Sequence, residues 1–228
     1  MIFHFAEAAG FVSLFLYASF FEWFLHRFLM HQPLWSYPFR SHALIHHGIF
    51  RSGPTYFLSQ DEDIKKVRFA WWNAPVILGL HAPVVFWIQH LLDINIFFGG
   101  MTALGLYYFL YEYLHFCMHV PKTRWFEKSA WFSWLDAHHH MHHKRHFSNL
   151  NVVFPLADLV FGTLVAARDR IPMPGRSVKM PPSTAYAGPL TRQNSAGIIS
   201  RSYSVSGLLM RASKVLKRPQ FVSPCESD

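Results

Sequence analysis

Sixteen of the 228 residues are histidine, and most fall into four groups. The densest is Ala137 to Phe147, which reads AHHHMHHKRHF. Drawn as a helix, it puts His139, His142, His143 and His146 at i, i+3, i+4 and i+7, on one face. Neutral imidazole is the commonest metal ligand and suits iron, zinc or copper, so several on one face can hold an ion. The competing account of this stretch is a solvated basic run beside Lys144 and Arg145, because histidine-rich tracts are often only compositional. Three further groups weigh against it. HRFLMH carries His26 and His31, SHALIHH carries His42, His46 and His47, and YEYLHFCMH carries His115 and His119.

The elements that must position these groups are apolar. Apolar residues make up 51% of the chain and charged residues only 15%, below the ~25% usual for soluble domains, which points to a membrane protein. The stretch 3–25 has no Lys or Arg and is long enough to cross a ~30 Å hydrocarbon layer. It lacks the basic start and short apolar core of a signal peptide, so it reads as a retained span. A second span is expected over 71–92 and a third over 94–116. The turn LDIN joins them, and Gly99, Gly100 and Gly105 allow close helix packing. The aromatic stretch 125–135 is too short to span and reads as an interfacial helix. The stretch 151–167 has the length of a buried or re-entrant segment. The expected fold is therefore an all-α membrane bundle of about three spanning helices with interfacial or re-entrant helices and a cytoplasmic histidine-rich cap.

Residues 1–167 form the expected membrane-embedded domain. From Arg168 to Asp228 the chain turns basic and rich in Pro and Ser, a composition expected to be mostly disordered. An amphipathic helix over 205–218 is one reading of the spacing there, and a structureless tail is the other. The two cysteines, Cys117 and Cys225, are too few for a disulfide framework. An odd number of spans puts all four histidine groups on one membrane face. Lys65, Lys66, Arg68, Lys122, Arg124, Lys128, Lys144 and Arg145 share that face, and the far side has no basic residue. By the positive-inside rule the histidine face is cytoplasmic, whether the host is the endoplasmic reticulum or a bacterial inner membrane.

The pattern HxxxxH, HxxxHH, HxxxH, HxxHH, together with PLADLVFGT at 155–163, resembles the membrane-bound fatty acid hydroxylase and sterol desaturase superfamily. The resemblance covers about Glu22 to Thr163. It implies an O2-dependent enzyme with two iron ions, replaceable by zinc in a purified sample, that hydroxylates or desaturates a lipid drawn from the bilayer. It also implies a ligand set. One metal takes His26, His31, His42, His47 and His142; the other takes His46, His115, His119, His139 and His143. HxxxHH is looser than the HxxHH common in the family, which leaves the assignment of His46 and His47 open.

Ten neutral ligands leave the charge of two cations uncompensated, so carboxylates are expected just outside them, fixing the imidazole tautomers. Glu22, Glu112, Asp136 and Asp158 are the candidates, and His146 is a neighbour expected beside the site. Glu112-x-x-His115 matches half of a soluble di-iron motif, but too few other acids accompany it. The chain has no haem-binding HPGG, cysteine cluster or dinucleotide fingerprint, so electrons must come from an external donor. Cytochrome b5 or a ferredoxin with its reductase is the implied partner, and no nucleic acid is expected. A fatty acyl or sphingolipid chain is the favoured substrate. Alternatives are a sterol or carotenoid hydroxylase or desaturase of the same superfamily, a haem-carrying membrane electron-transfer protein, and a scaffold without oxygenase activity.

Overall fold

The computed structural model describes residues 2–166, and no β-strand occurs among them. The expected tail, with its helix over 205–218, lies outside the described residues, and the boundary at 167/168 falls at their edge. The chain opens with α1, Ile2–Phe24, whose residues are apolar almost throughout. It runs without a break into a π-helical segment, Leu25–Met30. One-turn helices α2, Ser36–Phe39, and α3, His47–Ile49, flank a second π segment, Arg40–His46. A short α4, Ile64–Val67, leads to α5, Asn73–Leu92. Asp93 then takes a left-handed backbone (φ 50°), turning the chain into α6, Phe97–His119. The structure ends with α7, Ala130–Lys144, and the one-turn α8, Leu156–Val160.

Two helices, Phe5–Met30 and Asn73–Leu92, are long and apolar enough to cross a membrane. The expected third span is a helix of matching length, α6, but it falls short of that apolarity, because tyrosines, glycines and histidines recur along it. Almost none of α5 is buried, and Leu80, Phe86, Trp87, Leu91 and Leu92 stand exposed. Contiguous apolar exposure on this scale marks a surface that meets another apolar phase or partner.

α6 packs against both α1 and α5. Glycine permits the closest approach. A Cβ on Gly99 would lie 2.0 Å from the Glu7 carbonyl oxygen, and the Gly99 N–H donates to Glu7 Oε2 at 2.5 Å. A Cβ on Gly10 would lie 2.8 Å from Ile96 Cβ. Gly105 has no such role, since nothing comes within 4 Å of its would-be Cβ.

The aromatic stretch 125–135 and the histidine-rich stretch are one unit rather than two. A 3₁₀ turn, Trp125–Lys128, precedes Ser129, whose hydroxyl accepts from Phe132 N–H at 3.1 Å and starts α7. Trp125, Trp131 and Trp134 remain exposed. The part of the expected buried or re-entrant segment that is described, 151–166, is mostly loop with α8 as its single helical turn, and it packs on the carboxyl half of α1.

Gly99→Ala is expected to lower stability by about 1–3 kcal/mol through overpacking at the α1–α6 crossing. Gly105→Ala is expected to leave it unchanged or slightly higher, as alanine favours helix. Thermal unfolding of both variants in detergent checks the contrast.

Candidate metal centre

Ten histidines from four segments meet in two buried groups of five. His26, His31, His42, His47 and His142 form one, and His46, His115, His119, His139 and His143 form the other. Within each group one nitrogen per ring lies within 4.8 Å of all the others. Nitrogens on opposite sides of an ion at ~2.1 Å would be ~4.2 Å apart, so each group is the size of one coordination sphere. The groups abut, with the His47 and His143 rings 4.3 Å apart.

Helix type sorts the ligands. A π turn bonds residue i to i+5, where an α turn bonds i to i+4. His31 N–H donates to His26 O, and His47 N–H donates to His42 O. Each π turn therefore closes on two histidines five apart, and both pairs join the first group. The second group takes the α-helical pairs, His115 with His119 on α6 and His139 with His143 on α7. Each group then gains one ring from the other kind of segment: His46 from a π turn and His142 from α7. His46 and His47 are adjacent in sequence yet lie in different groups.

Backbone carbonyls fix the tautomers. A carbonyl oxygen only accepts, so a ring nitrogen facing one must carry the proton. Nδ1–H donates to Leu150 O from His26, to Lys66 O from His46 at 3.2 Å, and to Tyr56 O from His119 at 2.7 Å. It donates to Ser148 O from His142 at 3.0 Å and to Phe50 O from His143 at 2.5 Å. Burial, reinforced by neighbouring histidines, holds His46, His142 and His143 neutral, with pKa values far below that of free imidazole, and burial lowers His119 to about 4. The five carbonyl-bound rings therefore present bare Nε2 lone pairs to the two centres.

The Nε2 atoms of these and the other rings crowd together. In the first group Nε2–Nε2 separations are 2.8 Å for His26–His42 and 3.1 Å for His42–His47, His47–His142 and His142–His31. In the second they are 3.1 Å for His119–His139 and 3.0 Å for His139–His143, while Nε2 of His46 and of His115 is buried with no hydrogen-bond partner. Buried polar atoms without partners are rare and need a reason. A cation at each centre supplies one, and the donor set fits it.

The carboxylates act one layer further out than expected. Glu22 accepts from Tyr107 OH at 2.6 Å, Asn151 Nδ2 at 3.0 Å and Val152 N–H at 2.6 Å. Asp158 accepts from Leu150 N–H at 2.9 Å, Asn151 N–H at 2.8 Å and Thr163 OH at 2.6 Å, and meets His138 Nε2 at 3.2 Å. Together they grip three successive residues, and the carbonyl of the first, Leu150, holds His26. Burial raises the Asp158 pKa, but these hydrogen bonds outweigh it and hold the carboxyl below its usual range. Asp136 accepts from Tyr56 OH at 2.9 Å, and the Tyr56 carbonyl holds His119. Burial pushes Asp136 up to about 7. Glu112 accepts from Tyr108 OH at 3.3 Å.

His146 lies beyond the end of α7 rather than on its face, because the helix stops at Lys144. It is exposed, but its ring reaches 4.5 Å from that of His47 and stacks 5.5 Å from that of His31. Buried His138, Asn149 and Asn151 were not singled out by spacing. Their signal is a set of polar residues inside or beside an otherwise apolar stretch. Comparison with protein-family models, with curated proteins and with solved structures finds no match to this chain.

Asp158→Ala leaves three buried partners, Leu150 N–H, Asn151 N–H and His138, without their acceptor, at about 1–3 kcal/mol each before relaxation, and loosens the segment whose Leu150 carbonyl holds His26. The expected outcome is loss of metal from the group holding His26 with retention by the group holding His119. Metal analysis of the purified variant, against the same measurement on Tyr56→Phe, checks the asymmetry.

Proposed function

We propose that this protein is an integral membrane oxidoreductase in which two iron ions, one per histidine group, use O2 to hydroxylate an alkyl chain of a lipid. The observation that carries this reading is the pair of abutting five-histidine groups with inward lone pairs. Structural zinc sites are almost always four-coordinate, and zinc has no redox chemistry. Five nitrogens leave a six-coordinate ion one open position. The same convergence suits a single ion rather than a porphyrin, which would need a flat gap between two opposed rings. When bound, two redox ions side by side supply O2 activation and the oxidising equivalents for a C–H bond. The overall step balances as C–H plus O2, two electrons and two protons giving C–OH and water.

The residues around the centre fit that task. An apolar groove of about 70 Å³ runs among α1, α5 and α6, lined by Ala18, Phe21, Leu25, Met30, Leu104 and Tyr107, and it ends at His26. Its small volume and apolar lining favour an alkyl chain over a bulkier sterol or carotenoid ring. Its apolar walls orient the chain and exclude water. Glu22 lines the groove, but its oxygens are occupied by Tyr107, Asn151 and Val152, so it holds the wall rather than entering the reaction. Electrons come from cytochrome b5 or a ferredoxin with its reductase. The lysines and arginines on the histidine face suit an acidic donor, and the positive-inside rule favours a cytoplasmic position for that face.

The test is turnover of iron-reconstituted protein with a reductase and donor under 18O2, followed by lipid mass spectrometry. The expected result is one labelled oxygen per product, absent from the zinc-loaded protein and from His139→Ala. Oxygen derived from water, or equal turnover with zinc, would overturn the reading.

A further inference from the structure

A second cavity, of about 460 Å³, opens beside the metal centre. Its floor holds His42 of the first group with His46 and His115 of the second. Its wall is the single segment 65–70, which brings Lys65, Lys66 and Arg68, and Tyr37 and Ser41 complete the polar lining. No aspartate or glutamate lines it. The three cationic side chains are exposed, so none is spent on a buried ion pair.

The wall is fixed rather than loose. The Lys66 carbonyl accepts His46 Nδ1–H, and the Arg68 guanidinium lies 4.4 Å over the Phe116 ring. One side chain, Phe69, lines both this cavity and the apolar groove. It is stacked on Tyr111 with ring centroids 5.6 Å apart. A basic, water-facing chamber and an apolar groove thus meet at the two sides of one aromatic ring, and both reach the histidine groups.

We infer that the cavity walled by Lys65, Lys66 and Arg68 binds the anionic headgroup, phosphate or carboxylate, of a lipid whose apolar chain passes Phe69 into the groove. This rests on the functional reading above for the lipid being a substrate, but not for its binding. An anion pairs with the three cations and with the positive charge that neutral imidazoles leave uncompensated. A lone hydroxyl, as on a sterol or a long-chain alcohol, would give the two lysines no anionic partner. A macromolecular acidic donor would meet the same cations only from outside, because the imidazole floor is buried.

The experiment uses the full chain in nanodiscs of neutral phosphatidylcholine, with metal content measured on every sample. Titrations with dodecyl phosphate, dodecanol and inorganic phosphate are followed by tryptophan fluorescence, since the Trp72 ring lies 5.0 Å from that of the lining residue Tyr37, tilted by 40°. Dodecyl phosphate is expected to bind about tenfold or more tightly than either of the others, with a salt-dependent affinity. The variant Lys65→Gln with Lys66→Gln keeps the Lys66 carbonyl, and its metal content should be unchanged. It should weaken dodecyl phosphate several-fold, and about tenfold when Arg68→Gln is added, without changing dodecanol binding. Dodecanol binding as tightly as dodecyl phosphate would overturn the inference, as would variants that bind dodecyl phosphate like the parent. Inorganic phosphate binding as tightly as dodecyl phosphate would assign the cavity to a free anion and also overturn it. Zinc-loaded protein gives the same answers, so failure of the oxygenase reading is read separately in the 18O2 experiment.

Discussion

Imidazole nitrogens buried without enough hydrogen-bond partners are costly, and this chain crowds two sets of them together. Five rings have their Nδ1 protons committed to backbone carbonyls, so their Nε2 atoms turn inward without protons. The inward atoms crowd to within 2.8 Å for His26–His42 and 3.1 Å for His119–His139, and those of His46 and His115 find no hydrogen-bond partner. Burying polar atoms in this state is costly unless something positive sits between them. The rest of the fold can be understood as the scaffold that forces this convergence: two π turns, two α-helices and three loops, each delivering imidazoles or the carbonyls that aim them.

The two groups are built by different helix geometries, and this keeps them distinct while they touch. Pairs five apart come from π turns and pairs four apart from α-helices, with one ring exchanged each way. π segments are rare and concentrate at functional sites, because the extra residue re-aims side chains without ending the helix. Around the rings lies a layer of carbonyls, and around the carbonyls a layer of acids. Glu22 and Asp158 set the loop at 150–152, and Asp136 sets Tyr56. The acids therefore influence the rings through loop position more than through direct contact, and they do not neutralise the centre by ligating it.

The histidine groups were legible in the sequence because imidazole is rare and its spacing is periodic. The five-residue spacing of His26 and His31 was also visible, but an α-helical template cannot explain it, and only the π turns do. The same template extended α7 to His146, whereas the helix ends at Lys144. The carbonyl partners were not legible, since every residue carries a carbonyl and only tertiary packing selects Leu150, Lys66, Tyr56, Ser148 and Phe50. The acids were recognisable as costly in an apolar setting, yet their actual partners come from distant segments. Gly99 and Gly105 look alike in sequence, and only the crossing of α1 and α6 separates them.

The central claim is that each group holds one ion through imidazole nitrogen alone. X-ray absorption spectroscopy of the metal-loaded, purified protein tests it most directly. The account predicts a first shell of about five imidazole nitrogens per ion at ~2.1 Å. A shell with fewer than about four nitrogens, or one dominated by carboxylate oxygen or by sulfur, would contradict it.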